Sequence, residues 1–132
     1  MEDLKNAYLD TDFNVYEPAI TIKCGKQNPD LDYLLKMNNS TDWAYITAWN
    51  PYSEITDFSL NEERNIMLKE DLIKYKIFEG EGVGADPNWA PEKSFLILDI
   101  TREDAIVIGK KYRQNAIVAG TINEIAQLLW IK

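Results

Sequence analysis

The sequence contains no histidine and only one cysteine, Cys24. Without an imidazole, Ser-His-Asp and Cys-His catalysis, His-ligated metals and a histidine-based pH switch are all excluded. A single cysteine cannot form an internal disulfide or supply a zinc site built from several thiolates. Any acid/base chemistry would therefore depend chiefly on carboxylates.

Positive charge is also scarce. Lys and Arg total 14 against 22 Asp and Glu, which gives a net charge of −8 over 132 residues. Nucleic-acid binding normally requires a basic patch, whereas the densest cationic group here, Lys110, Lys111 and Arg113, fits a solvated helix face. We therefore expect no direct contact with nucleic acid. The negative charge fits either simple solubility or a protein partner with a basic surface.

Long hydrophobic runs are missing as well. No stretch approaches the ~20 apolar residues that a membrane-spanning helix needs. The polar, acidic N-terminus lacks the basic and apolar regions of a signal peptide. We expect a cytoplasmic protein with no membrane contact. The apolar fraction of 45% is ordinary for a globular protein, and the length predicts one domain over residues 1–132.

What the sequence does contain is a series of short apolar runs bounded by turn residues. The runs at Trp43–Trp49, Ser94–Ile100 and Asn115–Ala119 are typical of buried strands. Helix-start signals stand at Asn28-Pro29, Ser59 to Glu62, Thr101 and Thr121 to Glu124.

These signals give a predicted element order of β-α-β-α-β-β-α-β-α. Such an order predicts an α/β or α+β sandwich, with a mixed, mainly buried sheet of about four to five strands flanked by three to four helices. In the helix after Ser59 we expect Ile66, Met67 and Ile73 to be buried. Residues 79–91 hold three glycines and two prolines, which predicts a loop.

Polar side chains cluster where predicted strands begin or end. One group runs from Thr47 to Ser53, and a second includes Trp89, Glu92 and Ser94. Gln114 and Asn115 precede the third buried strand. Because ligands tend to bind outside the carboxyl ends of strands, these groups form a candidate site. Gln114 and Asn115 share the edge reached by Thr47 only if their strand is antiparallel to the first.

Several motifs appear in a specific order: ITAWNPYS at 46–53, G-x-G at 80–82, W-x-P-E-x-S at 89–94 and G-x-x-x-x-Q-N-A-I at 109–117, preceded by A-Y-x-x-T-D at 7–12. This pattern resembles the bacterial DUF3293 family, a domain of unknown function, over nearly the whole chain. The resemblance implies a shared fold and site but no activity. It places the family's polar pattern on Thr47, Trp49, Asn50, Pro51, Ser53, Glu92, Ser94, Gln114 and Asn115.

We therefore predict that the ligand is held by Thr47, Trp49, Asn50, Ser53, Trp89, Ser94, Gln114 and Asn115. Either tryptophan would stack on the ligand, and the amides would bind its polar edges. Glu92 is the candidate general acid or base, since burial raises a carboxyl pKa. Each residue also has a structural alternative. Asn50 suits an Asx-turn that ends a strand, and Trp49 suits the core.

The function we expect is a domain that binds a small polar molecule, including a nucleotide-like one, and two alternatives stay open. The first alternative is an acidic interaction module or inhibitor, of phage or mobile-element origin. The second is a carboxylate-dependent enzyme that uses Glu92. We expect no cofactor and no metal, because the spacing of Glu79, Glu81 and Asp86 does not require a hard cation.

Overall fold

Short strands and amphipathic helices account for most of residues 2–132, which are the residues that the computed structural model describes. In chain order the elements are α1 (Glu2–Leu9), β1 (Asp12–Val15), β2 (Ile20–Ile22), α2 (Pro29–Met37), β3 (Asp42–Ile46), a 3-10 turn (Pro51–Ser53), α3 (Phe58–Asp71), β4 (Lys76–Val83), β5 (Glu92–Leu98), α4 (Arg102–Lys111), β6 (Ala116–Thr121) and β7 (Gln127–Trp130).

Two of the predicted helix starts have the expected caps. The Asn28 side chain accepts a hydrogen bond from the backbone N–H of Leu31 at 3.0 Å, directly before Pro29 in the first turn of α2. The Thr101 hydroxyl accepts from the N–H of Asp104 at 3.1 Å and opens α4. Each cap satisfies a donor that the helix itself leaves free.

The strands form one sheet in the order β2-β1-β4-β5-β3-β6-β7. The two outer strands meet at one end, where Gly25 N–H donates to the Ala126 carbonyl at 2.7 Å and Ala126 N–H donates to the Lys26 carbonyl at 3.1 Å. The sheet is therefore curled strongly enough for its two edges to touch. This curl gives it an inner and an outer face.

Strict alternation along the strands separates two cores. On the inner face, Trp43, Tyr45, Leu96, Leu98 and other apolar side chains pack with Leu31 and Leu35 of α2. On the outer face the sheet contributes Ala44, Ile46, Phe95 and Ile97. They pack with Leu68 of α3, Leu72 directly after that helix and Ala105 of α4. Since neighbouring residues of a strand point to opposite sides, β3 and β5 supply both cores at once.

The predicted α/β or α+β class is confirmed, but the strand count of four to five is too low, and the sheet is not mixed. Within residues 2–132 the sheet has seven strands, and every ladder in it is antiparallel. The described residues include four α-helices. The missed strands, β1 and β7, have only four residues each, too few for a periodic pattern to stand out.

The predicted last helix is wrong. Thr121 ends β6, a turn with Asn123 at φ 69° follows, and the chain returns as β7. Ala116 and Ile117 pair there with Trp130 and Leu129. A capping pattern was therefore overridden by a hairpin that lets residues 127–130 complete the sheet.

The predicted loop at residues 79–91 is shorter than expected because β4 continues to Val83. Gly80 and Gly82 lie within this strand, opposite Val15 and Phe13 of β1. A Cβ atom at Gly80 would lie 1.8 Å from the backbone oxygen of Asn14. Glycine serves here as a site of close backbone approach between two strands and not as a turn residue.

The buried side of α3 also differs from the prediction. Ile66, Met67 and Ile73 are exposed, with Ile73 at 87%. The buried residues of this helix are Asn61, Asn65 and Leu68. The helix begins two residues earlier than its capping box indicates, with Asp57 accepting from the N–H of Ser59. Because two of the buried residues are asparagines, the spacing of apolar residues does not identify the buried face of this helix.

None of the helices within residues 2–132 has both the length and the apolar character needed to cross a membrane.

Because the Asn14 carbonyl leaves no room for a side chain at Gly80, we expect Gly80→Ala to lower the free energy of unfolding by about 2–3 kcal/mol. Gly84→Ala is the matched control, since nothing lies within 4 Å of its added Cβ, and it should change stability by less than about 0.5 kcal/mol. Urea denaturation of both variants measures the difference. Equal stabilities would show that β1 and β4 are not packed this closely.

Candidate functional site

A cavity of about 540 Å³ opens at the end of the sheet where β3 and β4 finish and β5 and β6 begin. Its floor is the inner face of the sheet, including Phe13, Tyr45 and Val118. Helix α1 forms one wall through Leu4, Ala7 and Tyr8, and the loop 84–91 forms another. The cavity is therefore lined by segments that lie far apart in the sequence.

Six of the nine predicted site residues line this cavity: Thr47, Ser53, Trp89, Glu92, Ser94 and Gln114. They meet because β6 is antiparallel to β3, which brings the residues before β6 to the edge that β3 reaches. The remaining three, Trp49, Asn50 and Asn115, are not cavity-lining residues. Each of them contacts one that is.

The segment after β3 has an unusual backbone. Asn50, Tyr52 and Ser53 all have positive φ, at 47°, 54° and 62°. Residues other than glycine seldom adopt this conformation, asparagine more readily than tyrosine or serine, and backbone strain of this kind is concentrated at functional sites. Here Tyr52 N–H donates to the Arg113 carbonyl at 2.7 Å, and Ser53 N–H donates to the Asn50 carbonyl at 2.8 Å.

The amide of Asn50 links this turn to two other elements. Its oxygen accepts from Thr56 N–H at 3.0 Å and from the Asn61 amide at 2.9 Å. Its nitrogen donates to Glu92 Oε2 at 3.1 Å. Asn61 in turn accepts the Asn50 backbone N–H at 2.8 Å. Asn50 thus lies outside the cavity lining and holds the Glu92 carboxyl group in position, in addition to ending the segment after β3.

Glu92 is partly buried at the first position of β5. Its Oε2 accepts from Trp89 Nε1 at 2.8 Å as well as from Asn50. Burial raises the pKa of Glu92 above its ordinary value, while these two hydrogen bonds act in the opposite direction. Among the described residues that line the cavity there is no Lys or Arg, so no side-chain cation of this lining stabilises the charged form.

Ser53 connects the strained turn to α1. Its hydroxyl accepts from Asn115 Nδ2 at 2.9 Å and lies 2.8 Å from the Tyr8 hydroxyl. Desolvation raises the pKa of Tyr8, and the nearby Glu92 carboxyl adds to that rise. The Tyr8 ring also contacts Trp130 of β7 edge-to-face at 5.9 Å. These contacts hold α1 over the cavity.

The two tryptophans have different positions. Trp49 is buried, with its ring edge-to-face on Phe58 at 5.5 Å, and its carbonyl accepts from Gln114 Nε2 at 3.3 Å. Trp89 lines the cavity from the loop 84–91. Of the two stacking platforms predicted, only Trp89 can reach a ligand in this cavity.

The acidic loop residues do not come together. Glu79 pairs with Lys69 and Glu81 accepts from Tyr16, whereas Asp86 lines the cavity. Among residues 2–132 no three Asp, Glu or Cys side chains are grouped to hold a metal ion. Cys24 is packed against the inner core, and burial raises the pKa of its thiol.

Sequence reasoning missed the inner-face floor and the wall supplied by α1. Phe13 lies on a strand of four residues, too short for its own pattern to predict it, and the apolar run around Tyr45 indicates only a buried strand. The wall residues Ala7, Tyr8 and Thr11 stand in the A-Y-x-x-T-D motif. That motif could have indicated a wall of the site, because a segment before the first predicted strand does not need specific polar residues in order to fold.

Replacing Asn61 with Leu should destabilise the protein by about 2–4 kcal/mol, because the Asn50 N–H would stay buried without its acceptor. Asn61 is only 1% exposed. Glu63→Ala, on the exposed side of the same helix, serves as the control and should change stability by less than about 0.5 kcal/mol. Thermal and urea denaturation of both variants measure this. If Asn61→Leu matches the control, the asparagine network does not hold the turn.

The raised pKa of Glu92 gives stability a predicted pH dependence. When an acid titrates at higher pH in the folded protein, the unfolded chain ionises first, so stability falls as pH rises above the ordinary carboxyl value of about 4.5. Each unit of difference corresponds to about 1.4 kcal/mol. Glu92→Gln removes this loss. The wild-type unfolding free energy, minus that of the variant, should therefore decrease as pH rises from about 4. A constant difference would mean that Glu92 titrates normally.

The sequence pattern described as "Protein of unknown function (DUF3293)" matches residues 46–117, which include Thr47, the strained turn, Glu92 and Gln114. No curated protein and no solved structure matches the chain. Since the matched segment covers more than half of the sequence, the chain belongs to the DUF3293 family.

Proposed function

We propose that the protein binds a small polar molecule in the cavity between α1 and the inner face of the sheet. The observation that carries this proposal is the cavity itself. Its volume of about 540 Å³ lies within the range of roughly 300–1,000 Å³ typical of ligand sites. The mouth of a curled sheet is also a common position for such sites.

The composition of the walls supports the same function. Phe13, Tyr45 and Val118 supply apolar surface for the body of a ligand, and Trp89 supplies an aromatic face at the rim. The polar groups are few and converge from separate elements: Thr47 after β3, Ser94 on β5 and Gln114 before β6. A small number of placed polar groups in an apolar pocket fixes the orientation of a ligand.

Within the nucleotide-like class, a flat base suits this cavity better than a phosphate. Asp3, Asp10, Asp86 and Glu92 all line it, and no Lys or Arg is among the lining residues. Phosphate sites in proteins depend on Arg, Lys or free backbone N–H groups. The four carboxyl groups would repel a phosphate.

Acid/base catalysis by Glu92 is a second candidate function, favoured by its raised pKa and its place in the cavity wall. In that case the bound molecule would be a substrate, and Glu92→Gln would abolish turnover. The acidic interaction module has no comparable geometric feature behind it and stays a hypothesis from charge.

A thermal-shift screen against a panel of nucleosides, amines, amino acids and sugars tests the binding function. We expect at least one compound to raise the melting temperature by a few degrees. Ala7→Trp should abolish that shift, because Ala7 lines the cavity from the exposed helix α1. Lys5→Trp lies on the same helix but away from the lining residues, so it is the matched control and should keep the shift.

A panel that produces no shift in the wild-type protein would argue against small-molecule binding. Shifts that survive Ala7→Trp unchanged would place the ligand elsewhere on the surface.

A further inference from the structure

The geometry points to a ligand that carries a positively charged, hydrogen-bond-donating nitrogen, such as an amidinium or guanidinium group, held by the free oxygens of Glu92 and Gln114. This inference rests on the proposed binding function and specifies its ligand class. It follows from the hydrogen-bond capacity that remains once the contacts within the protein are counted.

Glu92 has one oxygen to spare. Oε2 takes both internal hydrogen bonds, from Trp89 and Asn50, whereas Oε1 has no partner among the described residues. No fully buried side-chain oxygen or nitrogen in residues 2–132 lacks a partner. Oε1 is therefore not sealed in the interior. Since Glu92 lines the cavity, this oxygen is available to a molecule that occupies it.

Gln114 provides a second acceptor. Its nitrogen donates to two backbone carbonyls, those of Trp49 at 3.3 Å and Tyr112 at 3.2 Å. Because carbonyls accept only, these contacts determine which end of the amide is the nitrogen. The oxygen Oε1 is left without a partner in the described part of the chain and is likewise not sealed in the interior. Gln114 thus offers an acceptor to the cavity.

Most hydroxyl groups nearby are already occupied as donors, and the Tyr8–Ser53 pair, which shares one hydrogen bond, keeps a single free hydroxyl hydrogen. Thr47 donates to the Lys93 carbonyl, and Ser94 donates to the Glu92 carbonyl at 2.8 Å. Tyr45 donates to the Asn14 carbonyl at 2.7 Å. What the side chains of this wall offer is therefore mainly acceptor capacity, and a ligand that binds it must donate.

Charge selects a cation among possible donors. Asp3, Asp10 and Asp86 line the cavity together with Glu92, and within the described part of the chain every charged side chain of this lining is acidic. The closest base along β5, Lys93, is engaged with Glu62 at 2.9 Å. A carboxylate that is partly desolvated and has no protein cation beside it gains most from a cationic ligand. The net charge of −8 adds a favourable long-range field.

Three naphthalene derivatives of equal shape test this assignment: naphthalene-2-carboxamidine, naphthalene-2-carboxamide and naphthalene-2-carboxylate. Their side groups are a cation, a neutral amide and an anion. We expect calorimetry at pH 7 to show the amidine binding about tenfold more tightly than the amide, because the charged hydrogen bond to Glu92 is the stronger one. The carboxylate should bind most weakly.

Two substitutions identify the acid responsible. Glu92→Gln should weaken amidine binding about tenfold and leave amide binding nearly unchanged. Retained amide binding also shows that the variant is folded. Glu63→Gln changes the net charge equally from an exposed position outside the cavity, so it should leave all three affinities unchanged.

The assignment is overturned if the amide or the carboxylate binds as tightly as the amidine, or if Glu92→Gln leaves the amidine affinity unchanged. Failure of all three compounds to bind also overturns it. The proposed binding function is judged separately by the metabolite screen, which can succeed with a neutral or anionic compound.

Discussion

The amide side chain of Asn50 is the junction on which the site depends. Its oxygen accepts hydrogen bonds from Thr56 after the turn and from Asn61 in α3, and its nitrogen donates one to Glu92 in β5. A backbone with three positive φ angles in four residues is unfavourable alone, at about 1–3 kcal/mol for each angle. Fully satisfied polar networks can hold such a conformation, because every alternative leaves buried groups unpaired.

A second buried asparagine of α3, Asn65, also links the outer face of the sheet to the edge of the cavity on the inner face. Asn65 in α3 accepts the Ala48 N–H at 2.9 Å and donates to the Lys93 carbonyl at 2.8 Å. Helix α3 packs on the outer face, yet its two buried asparagines bind the segments that form the rim of the inner cavity. The position of Glu92 is thus set by a helix that contributes no residue to the described cavity lining.

The sequence was most informative where local chemistry decides the structure. Asn28 and Thr101 cap their helices, and the runs around Tyr45 and Leu96 form central strands, because capping and burial are short-range or compositional signals.

The sequence was least informative where contacts between distant residues determine the structure. Residues 121–129 carry a capping pattern, but their partner strand turns them into a hairpin. Likewise, Asn61 and Asn65 look polar and exposed until their backbone partners are known. For the candidate site, position at predicted strand ends and the family resemblance indicated Thr47, Glu92 and Gln114, while no local pattern identifies Tyr45 or Phe13 as the floor of the cavity.

The meeting of the two sheet edges has a consequence for association between chains. An exposed edge strand presents unpaired N–H and C=O groups, which recruit strands from other molecules and promote aggregation. Here the backbone groups of Gly25, Lys26 and Ala126 satisfy each other across the seam. A strand from another molecule therefore finds no unpaired backbone groups at the seam. The outermost strands β2 and β7 have only three and four residues, so they offer little edge for pairing elsewhere. The curl that shapes a pocket inside the sheet therefore also protects its margins from self-assembly.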